Sequence, residues 1–137
     1  MPLTGVRVID LARVMAGPSC AQMLGDFGAD VIRVEDLQGD ETRRWSPVKN
    51  NQSPNYQSVN RNKRGIALNL KTDEGQKILH GLVKCSDVLL HAFLPSVARR
   101  LKVDYESMRA INPDLICCQV SGFGAKGEMT EKPGYDL

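Results

Sequence analysis

Apolar positions along the chain follow two periods. Short runs rich in Val and Ile, VRVIDLA (6–12), DVIRVE (30–35), GIALNL (65–70), DVLLHAF (87–93) and DLICCQV (114–120), have the length and β-branched content of sheet strands. Between the first two, Cys20, Leu24 and Phe27 recur at spacings of four and three, the stripe of an amphipathic helix. Residues 72–85 predict a second helix, with Thr72 as its cap and Asp73 and Glu74 in the first turn, where the helix dipole favours acids. PSVARRL (95–101) and YESMRAI (105–111) read as short helices started by Pro95 and Asp104. Strands separated by helices predict an α/β fold, a Rossmann-like open, mainly parallel sheet with helices on both faces. The polar stretch 36–52 is a long loop for such a domain, and long loops more often serve function.

Composition narrows the function classes. The 137 residues are 42% hydrophobic and 25% charged, ordinary for one globular domain. A net charge of +2, from 18 basic and 16 acidic residues, is too small and too mixed to suggest nucleic-acid binding, so any anion site is local. Cys20, Cys85, Cys117 and Cys118 lack metal-ligand spacing and are expected to be reduced core residues. No metal site is expected. The N-terminus shows neither a basic leader nor a cleavage pattern, and no apolar run is long enough to span a bilayer, so a cytoplasmic protein is expected. The mitochondrial matrix is the alternative if an upstream targeting segment is missing.

Candidate chemistry begins at AGP (16–18), between the first strand and the first helix. Pro18 suits the first helical position, where its missing N–H costs nothing, and Gly17 suits the cap. The amides opening that helix then lie at the carboxyl end of a strand, where open α/β sheets gather ligands. The same tripeptide also makes an ordinary tight connection, and the loop alone does not choose between the two. GFGAKG (122–127) matches a dinucleotide-binding template, but Pro133 and Gly134 follow instead of a helix, so it reads as a glycine-rich loop at a strand end. The basic runs NRNKR (60–64) and ARRLK (98–102) are solvated surface unless they meet phosphates. His80 and His91 have no sequence-adjacent partner for nucleophilic catalysis, and Asp26, Glu35, Asp40 and Asp136 show no local acid/base pairing.

The ordered motifs LTGVRVIDL, AGP, LGDFGADVIRVE, GDETR, NRNKRGIALNLKTDEG, SDVLLHAF, INPDLI, SGFGAKG and PGYD resemble the N-terminal part of the class III CoA-transferase family of CaiB/BaiF type. That family includes formyl-CoA, carnitine and succinyl-CoA dependent transferases and the related α-methylacyl-CoA racemases. The resemblance runs nearly end to end. It implies that residues 1–137 are the N-terminal part of a CoA-binding α/β domain, without the family's second domain and returning segment. It implies coenzyme A and acyl-CoA as substrates and no permanently bound cofactor. The partners implied are an acyl-CoA and a small carboxylic acid, with no nucleic acid and no membrane, and a homodimer for the complete protein.

By position, the resemblance places Val14, Met15 and Ala16 against the pantetheine and acyl end, largely through backbone. It places Leu68, Asn69 and Lys71 along the CoA, Phe93 and Arg100 at the adenine and phosphates, and Tyr135 at the acyl pocket. Three positions depart from the family pattern: Asp36 stands where Arg is common, Ala92 where Asn is common and Ser96 where Gly is common. Weaker or rearranged CoA binding follows, with Arg33 or Arg100 as substitute cations. Family transferases attack the acyl-CoA with an Asp carboxylate that lies downstream of GYD, so no catalytic residue is expected within this chain, and Asp136 does not occupy the nucleophile's motif position. Racemases carry a His at the position of Tyr135, and a phenol is a poor proton acceptor near neutral pH, which favours transfer over racemisation. The alternatives are a racemase or a non-catalytic remnant that at most binds CoA.

Overall fold

The computed structural model describes residues 1–134. Five strands, β1 (Arg7–Asp10), β2 (Asp30–Glu35), β3 (Lys63–Ala67), β4 (Val88–His91) and β5 (Ile116–Gln119), form one parallel sheet in the order β3-β2-β1-β4-β5. The strand order reverses beside β1, the doubly wound arrangement in which crevices open at the carboxyl edge. Helices α1 (Ala16–Asp26), α2 (Pro54–Ser58), α3 (Asp73–Val83), α4 (Pro95–Arg100) and α5 (Tyr105–Arg109) lie between the strands in sequence. The α/β expectation therefore holds, and every pairing in the sheet is parallel.

Alternation along the strands builds two cores. Val8, Val31 and Leu90 pack with Ala21 of α1 on one face, whereas Ile9, Ile32 and Leu89 pack with Leu79, Ala98 and Met108 of α3, α4 and α5 on the other. The caps read from sequence form as side-chain bonds: Thr72 Oγ1 accepts the Gly75 N–H at 3.2 Å, and Asp104 accepts the Ser107 N–H at 3.3 Å.

Several local expectations need correction. Helix α1 begins at Ala16 with Met15 in the cap position, so Gly17 and Pro18 are its second and third residues. Gly17 is small for a packing reason, because a Cβ there would run into the Cβ of Ala12. Strand β3 starts at Lys63 rather than residue 65, since its register pairs Lys63 with Val31. All four cysteines are free; Cys20 and Cys117 are half-buried and pack against the two cores, whereas Cys85 and Cys118 are exposed and are not core residues.

The 36–52 segment contains a 3-10 turn, Glu41–Arg44, capped by Asp40, and α2 follows it without a periodic signal in the sequence. Glu35, at the end of β2, pins this segment to the sheet. Its carboxylate accepts Arg43 Nε and Nη2 at 2.7 Å each, the Tyr56 hydroxyl at 2.5 Å and the Asp40 N–H at 2.8 Å. Arg43 also stacks on the Tyr56 ring, 3.8 Å from its centroid. Burial pushes the Glu35 carboxyl up, but the bonds from Arg43, Tyr56 and the Asp40 amide outweigh it and bring the pKa from 4.5 to about 2. The same burial and the bond to Glu35 push the Tyr56 phenol well above its ordinary range.

Two outcomes are expected from this packing. Leu79, fully buried between α3 and the sheet, should cost about 2–5 kcal/mol when replaced by Ala, read as a lowered midpoint in urea unfolding. Because the Glu35 pKa is depressed on folding, its stabilisation is complete above about pH 4.5 and is lost as pH falls toward 2. Tyr56→Phe should therefore lower stability at pH 7, and the gap to the parent should close as unfolding is measured at successively lower pH between 4.5 and 2.

Candidate functional site

The carboxyl ends of β1, β2, β3 and β4 surround a cleft of about 560 Å³, within the range of small-molecule sites. Leu11, Ala12 and Arg13 enter it from β1, Arg33 to Glu41 from β2 and its following loop, Leu68 to Lys71 from β3, and Phe93 from β4. Of the residues singled out in sequence, Leu68, Asn69, Lys71 and Phe93 thus share one cleft. Val14, Met15 and Ala16 follow Arg13 in the chain, with Met15 and Ala16 exposed, but none of the three lines the cleft. Arg100 is exposed at the end of α4 and is not among the lining residues, and Tyr135 lies outside the described residues.

Local structure explains each position. The β3–α3 connection turns through Asn69, whose Oδ1 accepts the Lys71 N–H at 3.1 Å while its carbonyl accepts the Thr72 hydroxyl at 3.0 Å. Gly75 lets α3 approach this turn, because a Cβ there would meet the Asn69 carbonyl. Phe93 stacks on His91 with ring centroids 5.8 Å apart, and the His91 Nδ1 accepts the Phe93 N–H at 3.3 Å. Burial holds the His91 imidazole below its ordinary pKa, with Asp104 opposing weakly, so the neutral ring that accepts this bond is favoured. The Arg13 guanidinium lies 5.6 Å over the other partner of the stack, Phe93, and reaches Asp36 at 3.4 Å. With more than half of the Arg13 side chain exposed, that ion pair is weak. Lys71 and Arg44 add exposed cations to the rim and form no salt bridge among the described residues.

Beneath the cleft runs a feature that the sequence reading did not assemble. Asp10 and Arg33 are register partners on the α1 face of the sheet, and Lys63 of β3 lies on the same face. Arg33 Nη1 meets Asp10 Oδ1 at 3.1 Å, Arg33 Nη2 meets Asp40 Oδ2 at 2.5 Å, and Lys63 Nζ meets Asp10 Oδ2 at 2.9 Å. All four side chains are at most 2% exposed. Lys63 also donates to the Pro18 carbonyl at 2.8 Å, and Arg33 donates to the Ala12 carbonyl. Burial lowers the Lys63 pKa, opposed by Asp10.

Two expectations change accordingly. Lys63 of the NRNKR run is an interior charge, not solvated surface. Arg33 forms the cleft floor, but its guanidinium is engaged with Asp10 and Asp40 and is not a free cation for a phosphate. The available signal was a charge at the second position after an inward Val in each of two apolar strands, Val8 to Asp10 and Val31 to Arg33.

The connection from β1 to α1 is held in an unusual shape. Val14 has φ +64°, a left-handed conformation that costs a β-branched residue about 1–3 kcal/mol and persists only where surroundings impose it. Those surroundings are Asp10, which accepts the Ala12 N–H at 3.0 Å, and Asp40, which accepts the Val14 N–H at 3.3 Å. The first intrahelical bond runs from the Ser19 N–H to the Met15 carbonyl, so the amides of Met15 and Ala16 precede the helical ladder. Chemically, the cleft combines a basic rim, an aromatic face and strand-end backbone, a set suited to an anionic ligand with a flat heterocycle. Among the described residues no group of His, Cys, Asp and Glu gathers in metal-binding geometry, and no helix is long and apolar enough to cross a membrane.

Comparison with known proteins fits this geometry. The family model described as CoA-transferase family III matches residues 3–137. A succinate–glutarate CoA-transferase of Agrobacterium fabrum is 45% identical over 98% of the chain and 36% of its own length. A human succinyl-CoA:glutarate CoA-transferase is 42% identical over 98% of the chain and 31% of its own length. The crystal structure of a CAIB/BAIF family protein from Brucella suis superposes with a TM-score of 0.94 at 41% identity, covering 99% of this chain and 37% of that one. The chain thus spans about a third of the length of these relatives. Its motifs, its parallel sheet and a match to these proteins that extends over almost its whole length make this chain a member of CoA-transferase family III.

Proposed function

We propose that the protein to which this chain belongs moves CoA from an acyl-CoA donor to a carboxylic acid acceptor, and that residues 1–137 are the N-terminal part of its CoA-binding α/β domain. The observation that carries the reading is the convergence of Leu68, Asn69, Lys71 and Phe93 on one cleft at the carboxyl edge of the sheet. Relatives named for succinate and glutarate support short dicarboxylates as the first acids to test. Val14, Met15 and Ala16 approach the thioester end, and the family resemblance assigns Tyr135, outside the described residues, to the acyl pocket. Phe93 offers its ring to the adenine. The phosphates meet the cations of the rim, Arg13, Arg44 and Lys71, with Arg100 farther out.

The chemistry follows the family's route. A downstream aspartate carboxylate attacks the acyl-CoA carbonyl and expels CoA thiolate, leaving a mixed anhydride. The thiolate then attacks the aspartyl carbonyl, forming an aspartyl-CoA thioester and releasing the donor acid. An incoming carboxylate reverses these two steps and leaves as the new acyl-CoA. Residues 1–137 contribute binding and orientation, not the nucleophile. Binding energy gathered along the nucleotide and pantetheine holds the thioester in place for attack, so this portion governs the rate through positioning. The complete protein acts as a homodimer. Tyr135 in place of a proton-exchanging His favours transfer over racemisation.

Titration calorimetry of the full-length protein with CoA tests the reading. Arg13→Ala or Lys71→Ala should each weaken CoA binding about tenfold, the effect of one charge-assisted contact, and Arg100→Ala should weaken it less. Absence of CoA binding by the parent protein overturns the proposed function, and a larger loss at Arg100 than at Arg13 reassigns the phosphates to the α4 side.

A further inference from the structure

The β1–α1 connection does not hold its own shape. Nothing in the sequence 12–16 favours a left-handed Val14, since a β-branched side chain resists that conformation. What imposes it comes from elsewhere in the chain. Asp40, the residue that caps the 3-10 turn, is 6% exposed and uses both carboxylate oxygens. Oδ1 accepts the Thr42 N–H at 2.8 Å and the Thr42 hydroxyl at 2.6 Å. Oδ2 accepts Arg33 at 2.5 Å and the Val14 N–H at 3.3 Å. Arg33 in turn donates to the Ala12 carbonyl. The two backbone groups flanking Arg13 are therefore held by one buried ion pair whose carboxylate is fixed from behind by Thr42.

We propose that Asp40 is a positioning residue for the site: paired with Arg33, it holds residues 12–16 in the shape that presents Met15 and Ala16 to the CoA thioester and the Arg13 side chain to the phosphates. The proposal rests on the reading of residues 14–16 as the lining of the thioester end. It also implies that the Val14 amide is not a ligand donor, because Asp40 already occupies it. The amides of Met15, Ala16 and Gly17 precede the first intrahelical bond, and with Gly17 buried those left for a thioester carbonyl are Met15 and Ala16. The 36–44 segment, far in sequence from the helix it serves, becomes part of the binding apparatus without touching the ligand through Asp40 itself.

The test uses the full-length protein and the variants Asp40→Asn and Asp40→Glu. Asn keeps the size and removes the charge. Glu keeps the charge, so the Arg33 pair and the fold have a partner, but its extra methylene displaces the oxygen from Val14. Hydrogen–deuterium exchange at the Val14 amide reads the loop directly and does not depend on any ligand. Acyl-CoA kinetics read the consequence. Both variants should lose protection at Val14 and raise the acyl-CoA KM about tenfold or more, with a smaller change in kcat. Leu79→Ala, in the core away from the loop, serves as a comparator that lowers stability while leaving KM unchanged, since loss of folded protein alone reduces the apparent kcat. If Asp40→Asn does not fold, Asp40→Glu decides.

Lost protection with an unchanged KM overturns the positioning role, and so does full protection of Val14 in either folded variant. If the parent protein binds no CoA, the proposed function fails separately. The Val14 exchange then still shows whether Asp40 sets the loop, and retained protection overturns that link too.

Discussion

The structure depends on a chain of buried charges running through its centre, Lys63 to Asp10 to Arg33 to Asp40. Each of these ions would be costly inside a sheet–helix interface by itself, because its hydration is lost and the low dielectric penalises an unpaired charge. Linked end to end, each carboxylate faces a cation and each cation meets a carbonyl as well, so the desolvation is offset by short contacts. Such a network tolerates little change, since removal of one member of a buried pair typically costs about 3–5 kcal/mol by orphaning the other. An apolar filling of the same space would give comparable stability but would bind no backbone. Here the network fixes the carbonyls of Ala12 and Pro18 and the amides of Ala12 and Val14, which are the two sides of the β1–α1 turn.

That fixation links sheet and cleft. The parallel arrangement sends four strand ends to one edge, and the reversal of strand order beside β1 leaves room there for a ligand. Loops at such an edge would ordinarily be the most mobile parts of the domain. In this chain the loop after β2 is tied down twice, by Glu35 to Arg43 and Tyr56, and by Asp40 to Arg33. The loop after β1 is tied to the second of these. A cleft wall held in this way can bind a flexible, multiply charged ligand with less of its affinity lost to ordering the protein.

Membership of CoA-transferase family III gives these features a common purpose without supplying the chemistry. A chain covering about a third of its relatives' length holds the sheet edge and the cleft. Of the three positions expected to depart from the family pattern, Asp36, Ala92 and Ser96, only Asp36 lines the cleft. Asp36 draws Arg13 toward itself and over Phe93, so the cation nearest the aromatic face comes from β1's own loop. Ser96, the second residue of α4, donates both its N–H, at 3.1 Å, and its hydroxyl, at 2.7 Å, to the Glu131 carboxylate.

The parallel α/β sheet, its five strands and four of its helices were legible in the sequence, because hydrophobic periodicity and capping residues such as Thr72 and Asp104 act over a few neighbouring positions. The ordered motifs marked the family for a similar reason, as each is a local run. Helix α2 was not legible, since five residues carry no period, and neither was the start of β3, where pairing with β2 overrode the polar character of Lys63. The convergence of Leu68, Lys71 and Phe93 on one cleft was implied by the family resemblance and by no local pattern, whereas the burial of Lys63 and the hold of Asp40 on Val14 were decided only by the tertiary structure. The bonds of Asp40 to Val14 and of Lys63 to Asp10 join residues 26 and 53 positions apart, and a charge in a strand pattern looks the same in sequence whether it faces water or a partner brought alongside by the sheet.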